Sequence, residues 1–149
     1  MFYIIALLAV AADLLSKKAV EAAFAVGETR VLIKGLLDFH HLRNYGAAYS
    51  ILQNKVSFLL IFTGVLLAGI VIYYVKNHRS MHPVEMLCLS FILGGGIGNF
   101  ISRITVGYVT DFIDIHIIPV FNVADIFVST GCFLLLFYYF FIEGKKDSR

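Results

Sequence analysis

Four long apolar blocks run along the chain: Phe2–Val26, Val56–Val75, Val84–Ile104 and Phe121–Ile142. A helix needs about 20 such residues, at 1.5 Å rise each, to cross a bilayer. The last block is the strongest and ends in a run of Leu, Phe and Tyr. The first is interrupted by Asp13, Lys17, Lys18 and Glu21. Its apolar start and Ala9–Ala11 also suit a cleaved secretory signal, but the basic n-region of such a signal is missing. A retained helix accounts better for the charges, because intramembrane charges generally face a bundle interior.

Between the first two blocks, Arg30–His41 mixes β-branched and aromatic residues around a glycine. That pattern predicts short strands lying on the membrane face, either a cradle for something at the interface or a plain cap over the helices. Basic residues are densest in the loop Lys76–His82 and the tail Gly144–Arg149. Both termini are therefore expected on the cytoplasmic side, with Gly27–Lys55 and Thr105–Val120 outside.

Composition agrees. Of 149 residues 60% are hydrophobic and 15% charged, and the mean hydropathy is +0.87. A soluble domain of this size has too little interior to hide so much apolar surface. An ordinary soluble enzyme, a disordered chain and a nucleic-acid-binding module are excluded. The expected fold class is a mainly α membrane protein. It has four transmembrane helices, a small extracytoplasmic β-cradle between the first and second, and one polytopic domain over residues 1–149. The net charge of +2 names no partner. Cys88 and Cys132 sit in apolar runs without metal-ligand spacing and read as buried small hydrophobes.

The informative residues are the polar ones that an apolar chain should avoid. Asp13 and Lys17 share a helix face, either as an internal ion pair or as a binding element. Asn44-Tyr-Gly-Ala-Ala-Tyr-Ser50 suits a turn with close packing. Gly94-Gly-Gly-Ile-Gly-Asn-Phe-Ile-Ser-Arg103 is too rich in glycine for a free helix, and tight helix contact is the usual reason in membranes. Asn99 and Arg103 share one face there. Arg103 either snorkels to the interface or holds an anionic or carbonyl group of a ligand.

Asp111-Phe-Ile-Asp114 and Phe121-Asn-Val-Ala-Asp125 are separated by a short loop, so two carboxylates can meet near the outer interface. Asn122 as N-cap and Asp125 at the third helical position also form a near relative of the capping box, which needs no further role. Three clustered acids beside a bilayer are costly, which favours function. Two close carboxylates share a proton and titrate as a unit. The ionised member activates water while the protonated member polarises an amide carbonyl, which is aspartic peptidase chemistry. The first-turn position of Asp125 favours its ionised form and leaves Asp111 as proton carrier, with Asp114 as a competitor for Asp111. His40, His41, His78, His82 and His116 are scattered, so no metal or other cofactor is expected, and no Ser or Cys sits in a nucleophile motif. A small proton- or ion-coupled transporter using the same acids is the rival from another class, although no repeat supports it. A purely structural membrane subunit is the third reading.

These motifs together resemble lipoprotein signal peptidase (signal peptidase II), a bacterial membrane aspartic peptidase family. The resemblance rests on Asp13/Lys17, Asn44-x-Gly-Ala-Ala-Tyr-Ser, Gly94-Gly-x-x-Gly-Asn99-x-x-x-Arg103, Val109-Thr-Asp111-Phe-Ile-Asp and Phe121-Asn122-x-Ala-Asp125, in order over nearly the whole chain. It implies an enzyme of the bacterial cytoplasmic membrane with its active site near the outer leaflet. It implies a diacylglyceryl-prolipoprotein substrate, cut just before the lipidated Cys. Membrane lipid is the other contact; no nucleic acid and no obligate protein partner are implied. By motif position Asp111 and Asp125 look like the catalytic dyad. Asn44, Asn99, Arg103 and Asn122 look like substrate-pocket residues, and Asp13 and Lys17 like supporting ones. Two departures stand out: Ser102 occupies a place where the family often has Asp, and the connection between the dyad motifs is short.

Overall fold

The computed structural model describes residues 1–46 and 55–143. The end of the Asn44–Ser50 motif and the basic tail lie outside these. The order is α1 (Phe2–Ala23), β1 (Thr29–Ile33), β2 (Leu37–Asn44), α2 (Val56–Asn77), α3 (Pro83–Val106), β3 (Val109–Asp114) and α4 (Val123–Tyr138), with a π turn at Tyr139–Glu143 extending α4. The architecture is mainly helical with one small sheet. Three helices, α2, α3 and α4 with its extension, are long and apolar enough to cross a membrane. The first block is helical over 22 residues; its four charges keep it apart from the other three.

Local chemistry sets the helix ends. Pro83 opens α3, whose N-cap His82 accepts the Val84 N–H, and Gly107 closes it in the left-handed region at φ 81°. Asn122 opens α4 in a reciprocal capping box with Asp125.

Helix α3 is the hub, packed most extensively against α4 and α1 and less against α2. Its consecutive glycines turn by 100° per residue and so face different neighbours. A Cβ on Gly94 would lie 2.6 Å from the Ala6 carbonyl oxygen and the Ala9 Cβ of α1. One on Gly95 would strike the Ala124 carbonyl and Val128 of α4, and one on Gly96 would meet Leu67 of α2. The bare backbones thus let three helices approach α3 closely. Toward one end lies an apolar cluster of Phe2, Ala6, Leu89 and Leu93. Beside it the half-exposed hydroxyls of Tyr73 and Tyr139 both donate to Glu85, at 2.7 Å each.

The sheet crowns the other end in the order β1-β2-β3, antiparallel throughout. The strands expected within Arg30–His41 are present, with Gly35 turning the hairpin at φ 76°. The third strand was not expected: Val109–Asp114 reads as part of an outer loop. All of Val109–Phe112 is buried, so the strand lacks the alternation that marks a half-exposed one. It is fastened to α1 by the Thr110 hydroxyl, which donates to Glu21, and by an edge-to-face chain Phe24–Phe39–Phe112. Cys88 is buried as expected, but Cys132 is exposed, because it lies on the outward side of α4.

Gly94→Ala should lower the unfolding midpoint in detergent by the equivalent of about 2 kcal/mol, the scale of overpacking. Gly69→Ala, where an added methyl meets nothing within 4 Å, should leave it unchanged or slightly raised.

Candidate active site

Where the sheet meets the ends of α3 and α4 there is a cleft of about 600 Å³ lined by Asn44, Asn99, Arg103, Asp111, Asn122 and Asp125, with Leu42 and Ile118–Phe121 among its apolar walls. It joins a smaller cavity of about 240 Å³ between α2, α3 and α4, which shares Asn99, Arg103, Asp125 and Val128.

Asp111 reaches the cleft from β3, and Asp125 from the first turn of α4. The buried Asn122 side chain links them. Its Nδ2 donates to Asp111 Oδ1 at 2.6 Å, and its Oδ1 accepts the Asp125 N–H at 3.0 Å. Asp125 Oδ2 accepts the Asn122 N–H at 3.2 Å. So the capping box and the carboxylate cluster, which the sequence offers as alternatives, are one object. A second amide serves each acid: Asn44 donates to Asp111 Oδ2 and Asn99 to Asp125 Oδ1, both at 2.8 Å. Asn44 reaches Asp111 diagonally across the ladder, in which Leu42 faces Asp111 and Asn44 faces Val109.

Asp111 is 2% exposed. Burial, and then repulsion from Asp125, push its carboxyl up to about 6 from the ordinary 3.8. The Asn44 and Asn122 amides act against this by favouring the charged form.

Asp13 and Lys17 are buried beneath the cleft and paired at 2.6 Å. Each also acts outside the pair. Asp13 Oδ1 accepts the Ala124 N–H at 3.0 Å, so α1 supplies an anion to the start of α4. Lys17 Nζ donates to Asn99 Oδ1 at 2.9 Å and Ser102 Oγ at 3.3 Å. Its three donors thus have three acceptors. An ammonium has no acceptor, so Asn99 must turn its oxygen to Lys17 and its nitrogen to Asp125. Ser102 serves Lys17 as a neutral acceptor and donates to the Gly98 carbonyl at 3.1 Å.

Arg103 does not simply snorkel. Its Nη2 donates to the Gly46 carbonyl at 2.9 Å, tying α3 to the segment after β2. Its Nε is buried and has no partner among the described residues. Asp114 is not on the cleft wall with Asp111. Three residues further along the strand, it points the other way, toward His40 and His116. Sequence reasoning missed Glu21 and Thr110 as the tie behind Asp111. Their only signal is an acid late in an apolar helix and a hydroxyl beside the aspartate.

Residues 5–141 match the family model described as signal peptidase (SPase) II. The chain is 39% identical to the lipoprotein signal peptidase of Brevibacillus brevis, over 98% of each chain. It is 40% identical to that of Streptococcus pyogenes serotype M1, over 91% of this chain and 90% of the other. Two solved structures of bacterial membrane enzymes share the fold. One has a TM-score of 0.90 at 28% identity, covering 99% of this chain and 91% of the other. The second has a TM-score of 0.85 at 29% identity, covering 95% and 93%.

Lys17→Met should destabilise the protein by about 3–5 kcal/mol, because it strands the buried Asp13 carboxylate. Adding Asp13→Asn to it should restore part of that loss. Thermal unfolding in detergent reads both.

Proposed function

The chain belongs to the signal peptidase II family, a peptidase of the aspartic class, and from that premise we propose how it works. It removes the signal peptide from diacylglyceryl-modified prolipoproteins by cutting just before the lipidated Cys. Asp111 and Asp125 are the catalytic dyad. The observation that carries this reading is that the two carboxylates line one cleft, bridged by a single buried amide. The family assignment displaces the transporter reading of the same acids.

Asp111, whose proton is held up to about 6, is the acid, and Asp125 at the helix start is the base. Asp125 takes a proton from water as the water oxygen bonds to the carbonyl carbon. Asp111 gives its proton to the carbonyl oxygen. The proton on Asp125 then passes to the amide nitrogen, and the C–N bond breaks. Collapse of the tetrahedral intermediate returns a proton to Asp111, and the dyad is reset. Neither a metal nor a covalent intermediate takes part. Asn44, Asn99 and Asn122 keep the carboxylates aimed, and Arg103, whose Nε has no partner among the described residues, holds a substrate carbonyl.

The cavity between α2, α3 and α4 has apolar walls at Leu66, Leu67, Ile70 and Ile92 and opens onto Asp125. It suits the acyl chains or the signal helix of a substrate that arrives from the lipid. The protein is one polytopic unit over residues 1–149, and α1 is its fourth span. At 22 residues α1 is long enough. Asp13 and Lys17 are buried and paired, and Glu21 accepts from Thr110. The loop between α2 and α3 and both termini face the cytoplasm, and the sheet lies at the outer leaflet.

In a cleavage assay on a diacylglyceryl lipobox peptide, Asp111→Asn and Asp125→Asn should each lower turnover at least about a thousandfold, the scale of lost acid–base catalysis, without loss of folding. Full activity in either variant removes that residue from the dyad.

The pH profile gives a second test. The unliganded enzyme loses the Asp111 proton as pH rises through about 6, so kcat/KM should fall on the alkaline side there. Asn44→Ala removes an amide that favours the charged carboxylate, so its alkaline limb should move to higher pH. A limb that stays in place would detach it from Asp111.

A further inference from the structure

On the side of the sheet away from Asp111, two acids stand directly opposite each other: Asp38 of β2 and Asp114 of β3 are register partners. Like charges so placed repel. The ring of His116 lies between them, with Nε2 3.4 Å from Asp38 Oδ2 and Nδ1 3.5 Å from Asp114 Oδ1. Each ring nitrogen faces one carboxylate, so the ring stands between the two acids and keeps them apart.

The backbone agrees. His116 has φ 63°, the left-handed region that side-chain-bearing residues rarely adopt, and its N–H donates to Asp114 Oδ1 at 2.8 Å. The other group facing the cluster is His40 of β2, 4.0 Å from Asp114 Oδ2. From β1, Arg30 is paired with Glu28 instead. These side chains do not form a set of three or more with metal-binding geometry among the described residues.

Just beyond His116 the chain becomes the wall of the cleft. Ile118, Pro119, Val120 and Phe121 line it, and Phe121 closes the loop by pairing with Ile113 through both backbone groups. The base of the loop is therefore held by the backbone, and its far end by His116. We propose that His116, bridging Asp38 and Asp114, is a positioning residue that sets the Ile118–Val120 wall for substrate capture. This rests on the reading of the cleft as the peptidase site.

The test compares wild type with His116→Asn, since Asn tolerates the left-handed backbone but cannot bridge two anions. Asp38→Asn, which changes the other end of the bridge, is the second variant. KM for the lipobox peptide should rise about fivefold in either variant, a modest effect because the ring is partly exposed. The turnover number should stay within about twofold. An unchanged KM, or an effect confined to kcat, overturns the proposal.

Hydrogen exchange of residues 115–121 in detergent needs no activity. Wild type should be better protected than His116→Asn. If no protein cleaves the peptide, the peptidase reading fails while exchange still decides the bridge. If cleavage proceeds and exchange is the same in both proteins, the bridge fails alone.

Discussion

The site depends on one buried cation. Placing an ammonium among apolar helices costs several kcal/mol unless every donor finds an acceptor, and Lys17 finds three: Asp13, Asn99 and Ser102. Each contact fixes something beyond itself. Asp13, held on one side by Lys17, offers its other oxygen to the opening of α4. Asn99 has no choice of orientation and presents its nitrogen to Asp125. A carboxylate that Lys17 does not touch thus takes its aim from it.

The three amides at the carboxylates share a property that charged donors lack: they do not titrate. Asn44, Asn99 and Asn122 hold Asp111 and Asp125 with hydrogen bonds whose donors stay the same across the working pH range. Burial and repulsion from Asp125 raise the Asp111 carboxyl, and the Asn44 and Asn122 amides oppose that rise without changing charge themselves. A cation bound to either acid would favour full ionisation. Lys17 is kept one amide away.

Much of this was legible in the sequence because it is local. The Asp13–Lys17 pair follows from a four-residue spacing, and the capping box from Asn122 and Asp125. The last three helices follow from apolar length. The convergence of Asp111 and Asp125 follows from the short loop between their motifs. What was hidden is tertiary. Strand β3 is buried along Val109–Phe112 and carries acids, so its strand character comes from β2 beside it. The Gly46 carbonyl that holds Arg103 and the carboxylates that flank His116 belong to segments distant in sequence. The role of Ser102 is visible only with the Lys17 ammonium in place. The exposure of Cys132 depends on which side of α4 its neighbours cover.

The three successive glycines of α3 make that helix behave like a keyed shaft. Turning it by one residue one way would bring Leu93 against the α1 backbone, and the other way Ile97 against Leu67 of α2, so its azimuth is locked in both senses. Asn99 and Arg103 ride on the same shaft and are aimed by the lock. Helix α2, with Leu59 as its one buried residue, packs least extensively on α3 of the three neighbours. Of the helices around the shaft it is therefore the one with least to lose by giving way.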